Sequence, residues 1–122
     1  MIKADKWGSF DMADLVGEIF TKIDTSEENE IIFQTKDNQC IKMYHEQDCC
    51  ESVYIEDICG DLDDLLDTPI TMFDARENQS STDDGTMTWT FYHIGTNKGS
   101  VVLRWIGESN GYYSESVYLA IL

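Results

Sequence analysis

Basic side chains are scarce in this sequence. Its 122 residues carry 8 lysines and arginines against 24 aspartates and glutamates, a formal net charge of −16. A negative field of that size keeps a protein soluble and repels nucleic acid and anionic membrane surfaces, so direct binding to either is not expected. Long apolar runs are missing too. No stretch approaches the ~18 residues of a membrane helix, and Met1-Ile2-Lys3-Ala4-Asp5-Lys6-Trp7-Gly8 lacks the apolar region of a secretory signal. The expectation is a cytoplasmic protein whose four cysteines are reduced thiols rather than disulfides. There is no Cys-x-x-Cys spacing, no phosphate-cradling glycine loop and no calcium-loop order of aspartates with a closing glutamate. Internal repeats and low-complexity tracts are also absent.

What is present is a folding sequence. Hydrophobic residues make up 42% and aromatics 11%, too much for a disordered acidic tail. The length fits a single domain over residues 1–122. Ser9 or Asp11 can cap a short helical turn that Gly17 ends. Residues 19–23 read as a first strand and 30–35 as a second, which the turn chemistry of Lys36-Asp37-Asn38-Gln39 reverses into a third strand over 40–45. Leu62, Leu65 and Leu66 stand at i, i+3 and i+4, a helical turn stopped by Pro69. Residues 70–73 read as a short strand and 77–85 as a polar, flexible loop. The β-branched and aromatic run 86–94, a turn at 95–99 and the return 100–106 form a hairpin, and 113–122 closes the chain as a strand. The fold class expected is mainly β (α+β), with about seven mostly antiparallel strands in a twisted or rolled sheet and short helical segments.

Chemistry concentrates in His45-Glu46-Gln47-Asp48-Cys49-Cys50-Glu51. No lysine or arginine lies between Lys42 and Arg76, so this cluster sits in the most acidic third of the chain. Read as the tip of a hairpin whose return strand covers 50–58, it brings His45 close to Cys49 and Cys50. The same hairpin puts Cys59 near Cys40 at the far end, roughly 26 Å away along eight residues of strand. His45, Asp48, Cys49 and Cys50 then offer one nitrogen, one oxygen and two sulfur donors, a set suited to a structural zinc. Adjacent cysteines make an awkward chelate because neighbours on a strand point to opposite faces; a bulge at the tip would turn both inward. The plainer reading has one thiol packed, one exposed and the histidine hydrogen-bonded locally. Cys40 and Cys59 read as small core residues, and His93 as a packed or surface histidine. The surrounding acids would raise a thiol pKa, against cysteine catalysis.

The motifs His45-x-x-Asp48-Cys49-Cys50-Glu51-Ser52-Val53, Trp89-Thr90-Phe91-Tyr92 and Ser109-Asn110-Gly111-Tyr112-Tyr113-Ser114-Glu115-Ser116-Val117 resemble a family of small phage- and prophage-encoded proteins of undefined biochemistry. The resemblance covers most of the chain from about Gly17 onward. That family has no assigned activity, so no catalytic residue is carried over. The resemblance implies a phage origin and action in the host bacterial cytoplasm. In kind, small acidic phage proteins are similar to anti-CRISPR and other anti-defence inhibitors that occupy the basic nucleic-acid channels of host nucleases.

Two functions of different class follow. In the first, a non-enzymatic inhibitor acts as a DNA mimic. Its acidic face of Glu46, Glu51, Glu56 and Asp57, continued by Asp61, Asp63, Asp64 and Asp67, docks on a host defence protein. A type II CRISPR effector nuclease is the expected partner, with a structural zinc stapling the face. In the second, His45 with the Cys49 and Cys50 thiols serves a small metal-dependent enzyme or metal sensor.

Overall fold

Alternation of apolar and polar side chains builds the first sheet. In Glu30–Thr35 the side chains of Ile31, Phe33 and Thr35 are buried, and Cys40–Tyr44 buries Ile41 and Met43. The two segments pair antiparallel with Phe33 opposite Ile41 and Ile31 opposite Met43. Asn38 takes a positive φ of 64° in the reversal, and the Thr35 hydroxyl accepts from Gln39 N–H at 3.1 Å. A computed structural model describes residues 10–27, 29–45, 51–82, 85–109 and 117–122. Among them the strands are β1 (Phe20–Asp24), β2 (Glu30–Thr35), β3 (Cys40–Tyr44), β4 (Glu51–Cys59), β5 (Met72–Thr82), β6 (Gly85–Thr96), β7 (Gly99–Ser109) and β8 (Tyr118–Ile121). They form two four-stranded sheets, ordered β1-β2-β3-β8 and β4-β7-β6-β5, and every strand pairing is antiparallel. The helical content is two 3-10 turns, Met12–Leu15 and Leu62–Leu65. The mainly β expectation holds.

The inner faces of the two sheets meet in one core. Phe20 stacks on Phe33 with centroids 5.0 Å apart, Phe33 meets Phe73 edge-on at 6.4 Å, and Phe73 meets Tyr92 at 6.2 Å. This aromatic chain runs from the first sheet into the second. Trp105, 1% exposed, crosses the other way, and its indole N–H donates to the Met43 sulfur at 3.3 Å. Each such ring removes enough apolar surface from water to contribute about 2–3 kcal/mol. The 3-10 turns seal one end of the core with buried Leu15 and Leu65.

Three expectations are corrected. Strands β3 and β4 do not form a hairpin; they lie in different sheets, β3 between β2 and β8 and β4 on β7. The reason is that β7 buries Val101, Leu103 and Trp105 and half-buries Val102 on its other face, so it is a central strand and needs a second neighbour. Cys40 and Cys59 therefore belong to different sheets. Second, the polar segment after Arg76 is a strand: β5 pairs residue for residue with β6 from Met72 opposite Gly95 to Thr82 opposite Gly85. An edge strand facing solvent can be held by ladder hydrogen bonds without apolar alternation, which is why its pattern read as a loop. Third, Cys59 is exposed rather than in the core. The strand expected over 113–122 is seen as β8, and its part at 113–116 lies outside the described residues.

Candidate functional site

Two sites emerge, a buried polar pair and an acidic rim. His45 follows the last residue of β3, and Glu51 opens β4. His45 Nε2 and Glu51 Oε1 are 3.1 Å apart with side chains only 2% and 0% exposed, so the pair ties the two sheets together where the chain crosses between them. Glu51 was expected on the acidic docking face. It is instead an interior carboxylate, because its place on β4 continues the inward-facing row of Val53. Of the expected zinc ligands, His45 is the one the structure describes. Asp48, Cys49 and Cys50 lie outside the described residues, as does Glu46. Among the described residues no group of three or more His, Cys, Asp or Glu side chains gathers around a common point. The histidine nitrogen facing Glu51 is already engaged, so a metal would use its other nitrogen or take Glu51 as a ligand as well.

The acidic rim starts where β4 bulges between Ile55 and Asp57. Glu56 accepts from Arg104 at 3.0 Å. Asp57 accepts from Ile58 N–H at 2.9 Å and from the Cys59 thiol at 3.4 Å. That carboxylate holds the Cys59 thiol in its protonated form and pushes its pKa up, first through the hydrogen bond and then through charge. After Gly60, Asp61 caps the second 3-10 turn by accepting from Asp63 N–H at 3.0 Å. Asp61, Asp63 and Asp67 are exposed and Asp64 is half-buried. Asp67 holds a φ of 62° and donates its N–H to Phe20 O at 2.8 Å. Lys98 reaches the same end, donating to Leu66 O at 2.9 Å. Among the described residues, Glu56 alone of these six rim acids has a basic side chain in ion-pair contact. His93, between Asp74 and Val102 in the sheet register, is half-buried.

A groove adjoining the rim was not foreseen. One part, of about 530 Å³, lies between Ser26, Glu27 and Asn29 on one side and Glu51–Tyr54 on the other. A second part, of about 420 Å³, continues between Thr25 and Glu27 and residues 55–58. No sequence signal marks it, since it exists only because the β1–β2 turn of one sheet stands beside an edge strand of the other.

The model of the family described as a domain of unknown function, DUF7448, matches residues 13–119. The chain belongs to this family. No curated protein matches the chain, and no solved structure does.

The DUF7448 fold seen here holds its acids in two chemical settings. The His45 and Glu51 side chains are almost wholly buried against each other. The rim carboxylates are solvated and can accept hydrogen bonds from lysine or arginine of another molecule. No helix among the described residues is long and apolar enough to cross a membrane.

Proposed function

We propose that this protein is a non-enzymatic binding module of phage origin that docks through its acidic rim on a basic, nucleic-acid-handling surface of a host defence protein. The observation that carries the reading is the rim itself. Glu56, Asp57, Asp61, Asp63, Asp64 and Asp67 follow one another from the end of β4 over the second 3-10 turn, and one basic side chain, Arg104, pairs with any of them among the described residues. Carboxylates fixed on a rigid edge take the place of phosphates, and the partner's lysines and arginines release their counterions on binding. The likeness in kind to anti-CRISPR inhibitors makes a type II CRISPR effector nuclease the first partner to test, in the host cytoplasm. A structural zinc on His45, Asp48, Cys49 and Cys50 is part of the proposal.

The experiment is an affinity measurement across a salt series, for the native protein and for a variant with Asp61, Asp63, Asp64 and Asp67 all changed to Asn. Asparagine keeps the size of each side chain and can still cap at Asp61, so the fold is retained. Native binding should fall at least tenfold from 50 to 200 mM salt, and the variant should bind weakly with a shallower slope. Binding that ignores both salt and the substitutions sinks the docking reading. Elemental analysis of the purified protein decides the zinc.

A further inference from the structure

The groove beside β4 has an unusual lining. Its first part touches the four consecutive residues Glu51, Ser52, Val53 and Tyr54, and its second touches the next four, Ile55, Glu56, Asp57 and Ile58. A hollow on one face of a sheet would touch every second residue, because successive side chains point to opposite faces. Contact with every residue in turn places the groove along the edge of the strand. One edge of β4 is covered by β7, and β4 is terminal in the order β4-β7-β6-β5. Among the described residues no backbone hydrogen bond reaches the other edge over residues 52–58. Every second residue of such an edge presents its N–H and C=O outward, a template for another strand. Across the groove stands the β1–β2 turn with Glu27, which lines both parts. Glu27, Glu56 and Asp57 line it, and no lysine or arginine does among the described residues.

We propose that the open edge of β4 takes an extended, lysine- or arginine-bearing segment of the partner protein as a fifth strand of its sheet, seated between β4 and the β1–β2 turn. This rests on the docking function above and names how the partner is held. Backbone pairing along residues 52–55, before the bulge, supplies the geometry. Alternate side chains of the added strand turn to Glu27 and Asp57, which selects basic residues at every second position. The bulge between Ile55 and Asp57 interrupts the ladder, so the added strand pairs before it, and the edge as a whole is a poor template for a long flat strand, which discourages self-association.

The test uses the intact protein and a ten-residue peptide of alternating lysine and threonine. Two further versions are N-methylated on alternate amides, one in each register. Binding is read by fluorescence anisotropy and by amide shifts and amide exchange in NMR. The expected result is shifts over residues 25–29 and 52–58, slowed exchange on β4, and at least tenfold weaker binding for one N-methylated register but not the other. A Glu27→Gln variant should bind the plain peptide several-fold more weakly with its fold unchanged. Equal binding of both N-methylated peptides, with shifts confined to residues 61–67, overturns strand addition and leaves the acidic docking standing. No binding of any peptide at low salt, together with full affinity of the four-asparagine variant for its protein partner, overturns both.

Discussion

Changing Glu51 to Ala tests the most consequential contact in the structure. The carboxylate is 0% exposed and lies 3.1 Å from His45 Nε2. Its loss leaves the histidine in an interior site without that partner, and removing one member of a buried pair typically costs about 3–5 kcal/mol. For a chain of 122 residues this corresponds to a fall in Tm of roughly 10–20 °C. His45→Ala should cost a similar amount. The double variant should lose less than the two singles added together, by about 1–3 kcal/mol, since the two side chains interact directly. Urea unfolding followed by tryptophan fluorescence, with Trp105 buried in the same core, measures all three. Strict additivity of the two losses, or a loss below about 1 kcal/mol in either single variant, would refute the idea that this pair joins the sheets. Repeating the cycle with a chelator separates the pair from a metal. An ion held on His45 would make its contribution chelator-sensitive, and a simple pair would not.

Three further outcomes are expected. Burial, with a smaller contribution from Glu77, pushes the Tyr92 hydroxyl up to about 12 from 10. The native state therefore keeps its proton where the unfolded chain has lost it. Stability is complete below about pH 10 and falls by up to about 3 kcal/mol as pH rises towards 12. Tyr92→Phe should flatten that decline in urea melts, and an unaltered profile would count against it. A Cβ on Gly60 would sit 2.7 Å from Ser100 O at a φ of +111°, whereas Gly17 has φ +96° and nothing within 4 Å. Gly60→Ala should lower stability by about 2–3 kcal/mol and Gly17→Ala by about 1; equal losses in thermal melts would contradict the packing argument. Finally, Asp57→Asn should speed alkylation of Cys59 by iodoacetamide near pH 8, because the carboxylate that raises its pKa is gone. Peptide mass spectrometry reads this site by site, and an unchanged rate at Cys59 would refute it.

Local pattern decided much of the first sheet. The alternation of Ile31, Phe33 and Thr35, the Asn38 turn and the return through Ile41 and Met43 are written in neighbouring residues, and so is the second 3-10 turn before Pro69. The hairpin of β6 and β7 is equally local, although its pairing runs out to Thr86 opposite Ser109. Only the start of β5 was legible, within the short strand read at 70–73; the rest read as a loop because an edge strand with solvent on its flank can be polar. Its evidence lies in the partner strand, not in its own residues.

The acidic charge and the clustering of donors around His45 are properties of the chain alone. Tertiary structure decided which of those acids face solvent. It turned Glu51 inward against His45, left Asp57, Asp61, Asp63 and Asp67 in solvent, and sent β3 and β4 to different sheets. The physical reason is that a strand's neighbours are chosen by long-range burial. β7 needed a second flank for its apolar residues and β4 supplied it, while among the described residues nothing pairs with β4's other edge, beside the β1–β2 turn.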